Sequence, residues 1–327
     1  MNTRRTVRGL AAAAAAVAVL AACSSEGGAQ NEGGGAGAPA EGEQFTIQMI
    51  THEQAGDTFW DKIRAGAEAA AAAHGIELQY SNNENGPEQA TLVQNAIDSQ
   101  VDGIAVTLSN ADAVVPVARA ASDGGIPVVA FNQGFDEYED AGAIGYYGSD
   151  EQLAGETVGQ RITEDGGGKT LCVIQAQGSV ALETRCAGVA ATFPNTENIQ
   201  VNGADLPSVQ STLQAKLAQD PAITHIVTLG APIAMAALQA QEQAGSQARL
   251  ITFDLNTDAA QAIQDGRILF SIDQQPYVQG YMAVTGLWLN LTNGNDLGGG
   301  QPVRTGPSIV DQSNIEQILP YTQNNTR

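Results

Sequence analysis

VDGIAVTLSNADAVVPVARAASDGGIPVVAFNQG, residues 101–134, reads as strand, helix and strand in succession. GIAVTL (103–108) and IPVVAF (126–131) are short apolar runs, and the alanine-rich stretch between them has helical period. A helix joining two such runs makes the strands parallel neighbours. The same unit recurs on either side. FTIQMI (45–50) and IELQYS (76–81) lie upstream, and AIGYYG (143–148) follows closely downstream. A second series begins after Ser149-Asp150 with TLCVIQ (170–175), IQVNG (199–203), HIVTLG (225–230), RLITFD (249–254) and ILFSID (268–273). The expected class is α/β, with two doubly wound parallel sheets in tandem. Such sheets bind ligands beyond the carboxyl ends of their strands, which makes Thr51-His52, Asn132-Gln133, Asp254 and Asp273-Gln274-Gln275 the candidate contacts.

The amino-terminal segment has a different character. Arg4, Arg5 and Arg8 precede an alanine-rich apolar stretch that ends in Leu20-Ala21-Ala22-Cys23. A basic start, a short apolar run and small residues before a cut describe an export signal, too short to cross ~30 Å of hydrocarbon. The four-residue ending resembles the lipobox of bacterial lipoproteins. That resemblance implies loss of residues 1–22, acylation of Cys23 and attachment to the outer face of the cell membrane. Thr3-Arg4-Arg5 leaves both the general secretory and the twin-arginine route open. Residues 23–44 are glycine-rich, with almost nothing that could enter a core, and are expected to be a flexible tether. Folding is expected from Phe45, and the length that remains favours two lobes over one core.

Fourteen basic against 36 acidic residues give a net charge of −22, which argues against a nucleic-acid or anionic-membrane surface. Cys172 and Cys186 would both be exported into a compartment that permits disulfides, and they are expected to pair. Two reduced, buried thiols are the alternative. No metal or cofactor is expected. His52, His74 and His225 are scattered without zinc spacing. Gly166-Gly167-Gly168-Lys169-Thr170 lacks the first glycine of a phosphate loop, because Thr163 stands there, and it precedes a strand rather than a helix. No GxSxG elbow occurs, and no catalytic carboxylate pair can be singled out.

Six segments together resemble the type I periplasmic binding proteins of sugar ABC transporters, the ribose-binding-like branch. They are GDTFWDKIRAGAEAAA (56–71), VDGIAVTLSNADAV (101–114), GIPVVAFNQG (125–134), GSDEQLAGETVGQ (148–160), FDLN (253–256) and SIDQQPYVQGY (271–281). The resemblance implies two lobes joined by a three-crossover hinge. Residues 45–148 plus about 276–305 would form the first lobe, and 149–275 plus about 306–327 the second. It also implies a ligand set. Asp57 stands at a sugar-bonding position, Phe59 and Trp60 at the sandwiching aromatics, and His52 lies on the same loop. Asn132 and Gln133 replace an acid and an arginine of the ribose-binding pattern, and Gly230 replaces a polar residue, so the ligand is expected to differ from ribose. Glu183 and Arg185 align with the family's sugar-binding arginine and the next basic residue, and one of them is expected to reach the ligand. Asp254 corresponds to an acid that binds hydroxyls and Gln274 to a hinge glutamine that does likewise. Planar acids and amides suit sugars, because each hydroxyl both donates and accepts, while aromatic rings cover the C–H face.

The resemblance therefore implies a lipid-tethered, non-enzymatic receptor, a monomer by family default. It would close two lobes around a small monosaccharide or polyol and deliver it to an ABC permease. A receptor for a signalling molecule on the same scaffold is the alternative within the binding class. A carbohydrate-processing lipoprotein is the alternative from another class, distinguished by turnover of glycosides. Whether the ligand is a pentose, hexose, linear polyol or cyclitol stays open.

Overall fold

The computed structural model describes residues 44–54 and 57–327. The leader, Cys23 and the glycine-rich segment through residue 43 lie outside the described residues. From Thr46 the chain alternates strand and helix: β1 (Thr46–Thr51), α1 (Phe59–His74), β2 (Glu77–Asn82), α2 (Gly86–Asp98), β3 (Gly103–Val106), α3 (Ala111–Asp123), β4 (Val128–Asn132) and β5 (Tyr146–Gly148). The second series is α4 (Glu151–Glu164), β6 (Lys169–Ile174), α5 (Val180–Thr192), β7 (Thr196–Gln200), α6 (Leu206–Gln219), β8 (Ile223–Thr228), α7 (Ala231–Ala244), β9 (Arg249–Phe253), α8 (Thr257–Gln264) and β10 (Ile268–Asp273). The chain then returns through α9 (Pro276–Asn293) and β11 (Val303–Arg304), and finishes with β12 (Ser308–Asp311) and α10 (Ile315–Thr322).

Two six-stranded sheets result, ordered β11-β5-β4-β3-β1-β2 and β12-β10-β9-β8-β6-β7. The chain passes between them after β5, after β10 and after β11. All pairings in the first sheet are parallel. The second departs from the parallel reading at one edge, where β12 runs antiparallel to β10. The cause is the route: β12 enters the second sheet at its crossover end, where Ser308 pairs with the last residue of β10, and so runs back along it.

The apolar runs are continuous because both faces of each sheet are covered by helices. Successive strand residues go to opposite faces. Ile47 and Met49 join the core beneath α1 and α9, whereas Ile50 joins the core under α2 and α3. In the second sheet Leu171 and Val173 face one core and Cys172 and Ile174 the other. Cys172 on β6 is bonded there to Cys186 on α5, with Cα atoms 5.9 Å apart. The expected disulfide is present.

Close helix contacts depend on glycine. A Cβ on Gly66 of α1 would sit 2.0 Å from the Tyr277 carbonyl oxygen, and one on Gly280 of α9 would sit 2.0 Å from that of Ile63. Gly155 of α4 and Gly188 of α5 play the same part in the second lobe, at 2.1 and 2.4 Å from backbone oxygens. The β7 strand falls three residues earlier than its expected 199–203. Asn202 instead accepts the Ala204 N–H at 3.2 Å and turns the chain toward α6.

Candidate functional site

The loop after β1 and the first turn of α1 carry four candidates. Trp60 is 4% exposed and belongs to the core beneath α1. Phe59, partly buried, meets it edge-on at 5.3 Å, and the His52 ring meets it edge-on at 4.7 Å. Burial pushes His52 down to about 3, so its imidazole is neutral at physiological pH. The Gln133 amide nitrogen lies 2.9 Å from His52 Nε2, and Thr107 Oγ1 lies 2.8 Å from Nδ1. A neutral ring then accepts from Gln133 and donates to Thr107. Asp57 Oδ1 accepts the Phe59 N–H at 3.0 Å, while burial raises its carboxyl above the usual range.

Asn132 and Asp254 occupy matching places at the ends of β4 and β9, and both have left-handed backbone, with φ of 63° and 59°. Such φ values are uncommon in residues other than glycine and cluster where function holds them. Asn132 Nδ2 donates to Gln279 Oε1 at 3.0 Å, and its carbonyl accepts from Tyr146 Oη at 2.7 Å. Gln274 Nε2 donates to both carboxylate oxygens of Asp254 at 3.0 Å. Asn256 caps α8 by accepting the Ala259 N–H at 2.8 Å, so capping does not occupy Asp254. Burial raises Asp254 to about 7, against the opposing pull of the Arg185 guanidinium.

Of the two candidates on α5, Arg185 turns inward and Glu183 outward, since two residues along a helix face nearly opposite sides. Arg185 Nε and Nη2 donate to the Glu151 carboxylate at 2.5 and 3.1 Å, and the guanidinium lies 4.8 Å from the Phe253 ring centroid. Glu183 is exposed, and its side chain has no hydrogen-bond partner among the described residues.

Hydrogen bonds join the candidates from both sheets. Gln279, fully buried, accepts from Asn132 and donates to the Gln274 carbonyl at 3.2 Å and to Thr305 Oγ1 at 3.1 Å. Four residues of this neighbourhood are missing from the sequence reading: Lys62, Glu151, Gln175 and Gln279. Gln175 follows β6, and its Nε2 donates to the Leu229 carbonyl at 3.2 Å. Among the described residues, Gln175 Oε1 and Gln274 Oε1 are buried without a hydrogen-bond partner. Both are acceptors at strand ends of the second sheet, suited to hydroxyl donors. Position at a strand end was the available signal for Gln175; for Lys62 it was the helical stripe shared with Phe59 and Gly66.

A family model described as a periplasmic binding protein domain matches residues 47–295. The xylose/arabinose-binding protein XylF of Sulfolobus acidocaldarius is 25% identical over 86% of this chain and 75% of its own length. The ribose import binding protein RbsB of Escherichia coli is 27% identical over 67% of this chain and 75% of its own length. A carbohydrate transporter from Acidothermus cellulolyticus 11B, solved in complex with myo-inositol, is 50% identical. It covers 87% of this chain and 100% of its own, with a TM-score of 0.85. A solute-binding protein from Burkholderia graminis, 23% identical over 85% of this chain and 98% of its own with a TM-score of 0.74, shares the fold.

Proposed function

The chain belongs to the periplasmic binding protein domain family, and from that premise we propose that it is a non-enzymatic extracytoplasmic receptor for one small sugar or polyol. The ligand lies between the two sheets and is handed to an ABC permease. The observation that carries this reading is the set of buried and half-buried planar acids and amides at strand ends of both sheets. Asn132 and Gln133 come from one side, and Gln175, Asp254 and Gln274 from the other. These groups satisfy hydroxyls in pairs, and a site built to bond hydroxyls rejects analogues that lack them. Phe59, partly buried, supplies aromatic surface for a C–H face, whereas Trp60 packs in the core behind it rather than completing the expected sandwich. Arg185, held by Glu151, attracts the Asp254 carboxylate, and Glu183 is exposed to solvent. A cyclitol leads the candidates, because the relative that is 50% identical was solved with myo-inositol.

In this proposal residues 45–148 with about 276–305 move against 149–275 with about 306–327. The ligand favours the closed form only by its differential affinity for it. Cys23 is acylated and residues 23–44 tether the receptor to the membrane; Cys23→Ala would then leave the protein out of the membrane fraction of the producing cell. A thermal-shift panel of pentoses, hexoses, alditols and cyclitols tests the ligand class. One selective shift is expected, since a ligand at 100 times its Kd adds about 2.7 kcal/mol of stability. Asp254→Ala is expected to abolish that shift. No shift with any member of the panel would reject a sugar or polyol in favour of a non-sugar metabolite or signalling ligand.

A further inference from the structure

Lys62 is buried where a helix-surface lysine would be solvated. It shares a stripe of α1 with Ile63, Gly66 and Ala67, and only 3% of its surface is exposed. An ammonium has three protons to donate. Among the described residues its one hydrogen bond is a 3.5 Å contact with the Thr58 carbonyl, one turn back. A buried charge so poorly partnered is costly to hold. The acids that act on it come from both lobes: Asp254 most strongly, then Asp57, Asp61 and Asp273. Asp61 already pairs with Arg64, and Asp273 pairs with Arg327 at 2.8 Å. Asp57 and Asp254 are left without a direct ion pair among the described residues, and Asp254, from the opposite lobe, exerts the stronger attraction on Lys62. Burial holds Lys62 below its ordinary value and Asp254 above, as incomplete compensation requires.

We propose that Lys62 is a specificity-determining ligand contact coupled to Asp254 through the ligand, and that this couple selects an uncharged polyol over its amino- and carboxyl-bearing analogues. The inference rests on the receptor reading above. A hydroxyl between the two groups accepts from the ammonium and donates to the carboxylate, using both of its capacities. An ammonium in that place repels Lys62 and has no lone pair to accept from it, and a carboxylate repels Asp254 and has no proton to donate to it, so each leaves one buried charged group unpaired. Either repulsion is strong in a site shielded from water.

Isothermal titration calorimetry of the full chain tests this with two sets: myo-inositol, scyllo-inositol and the latter's amino analogue scyllo-inosamine, then D-glucose, D-glucosamine and D-glucuronate. The wild type is expected to bind a neutral member and to disfavour its charged analogues by about 100-fold or more. Lys62→Met is expected to weaken the neutral ligand by about 10- to 100-fold, the range for a hydrogen bond to a charged group, and to shrink the penalty on the amine at least as much. Lys62→Gln, which keeps two donors without charge, should lose less affinity yet show the same change in preference. Melting temperatures at or above wild type would show that both variants fold. Neutral-ligand affinities within about threefold of wild type in both variants, or an unchanged preference against the amine, would overturn the inference while leaving the receptor reading intact. A wild-type chain that binds no neutral polyol would reject the receptor reading and this inference with it.

Discussion

Asp254 contains two opposed demands in one side chain. Its carboxylate suits hydroxyl donors, yet burial lifts it from 3.8 to about 7. Between those values the native state holds a proton that the unfolded chain has released. The stability this contributes is fully present below about pH 4 and is lost as pH rises to about 7, at most about 1.4 kcal/mol per unit. Urea unfolding is expected to show wild type losing more stability than Asp254→Asn across that window. Equal slopes would place the carboxyl in an ordinary environment. Arg185 and Glu151 are a buried pair, and removing one partner strands the other. Arg185→Ala is expected to cost about 3–5 kcal/mol, and Arg185→Met combined with Glu151→Leu to recover most of it, as read by denaturant midpoints. Asp254 and Gln274 were legible in the sequence because each stands where an apolar run stops. Lys62 was legible only as a member of the buried stripe of α1, because a lysine in an amphipathic helix ordinarily reaches solvent and nothing in its neighbours announces the acid that attracts it from the other lobe.

Among the elements, the strands were legible wherever both faces are buried. GIAV and VVAF have no polar residue to blur the run. The edge strand β7, TENIQ, is half exposed and polar, so its apolar content misplaced it by three residues. The antiparallel β12 was illegible for a different reason: its direction is set by the third crossover, not by its own composition. Left-handed backbone at Asn132 and Asp254 has only a weak signature, because Asn and Asp enter that region more readily than other non-glycine residues yet mostly do not. The glycines of α1 and α9 are plain in sequence, but their purpose appears only when the helices touch. Gly280→Ala places a methyl into the Ile63 carbonyl and is expected to cost about 1–3 kcal/mol through displacement of α9, measured by chemical unfolding. A cost near zero would mean that the two helices separate freely.

Across the whole molecule a few polar groups tie the three crossovers together, and they are where the proposed lobe motion would be felt. Gln279 ties Gln274 of the second crossover to Thr305 of the third, and Asn132 links it to Tyr146, whose hydroxyl reaches the Ser149 carbonyl at 3.1 Å on the first. Gln279→Leu is expected to loosen the lobes. The variant without ligand should show a larger radius of gyration by X-ray scattering than wild type, and saturating ligand should restore the wild-type value. Identical scattering would remove Gln279 from the hinge.

The crossovers also impose an order on biosynthesis. The first lobe needs Ala283, Val284 and Leu287 of α9 to close its core against Ile47 and Met49, yet α9 is translated only after the whole run from α4 to β10. A nascent chain therefore holds its first five strands incomplete while the second lobe's five parallel strands emerge in one uninterrupted passage. Neither lobe is complete until the chain beyond β10 has emerged, because the second in turn awaits Val310 of β12 and Ile315 of α10, and of the two it is the first that waits longest with an uncovered face.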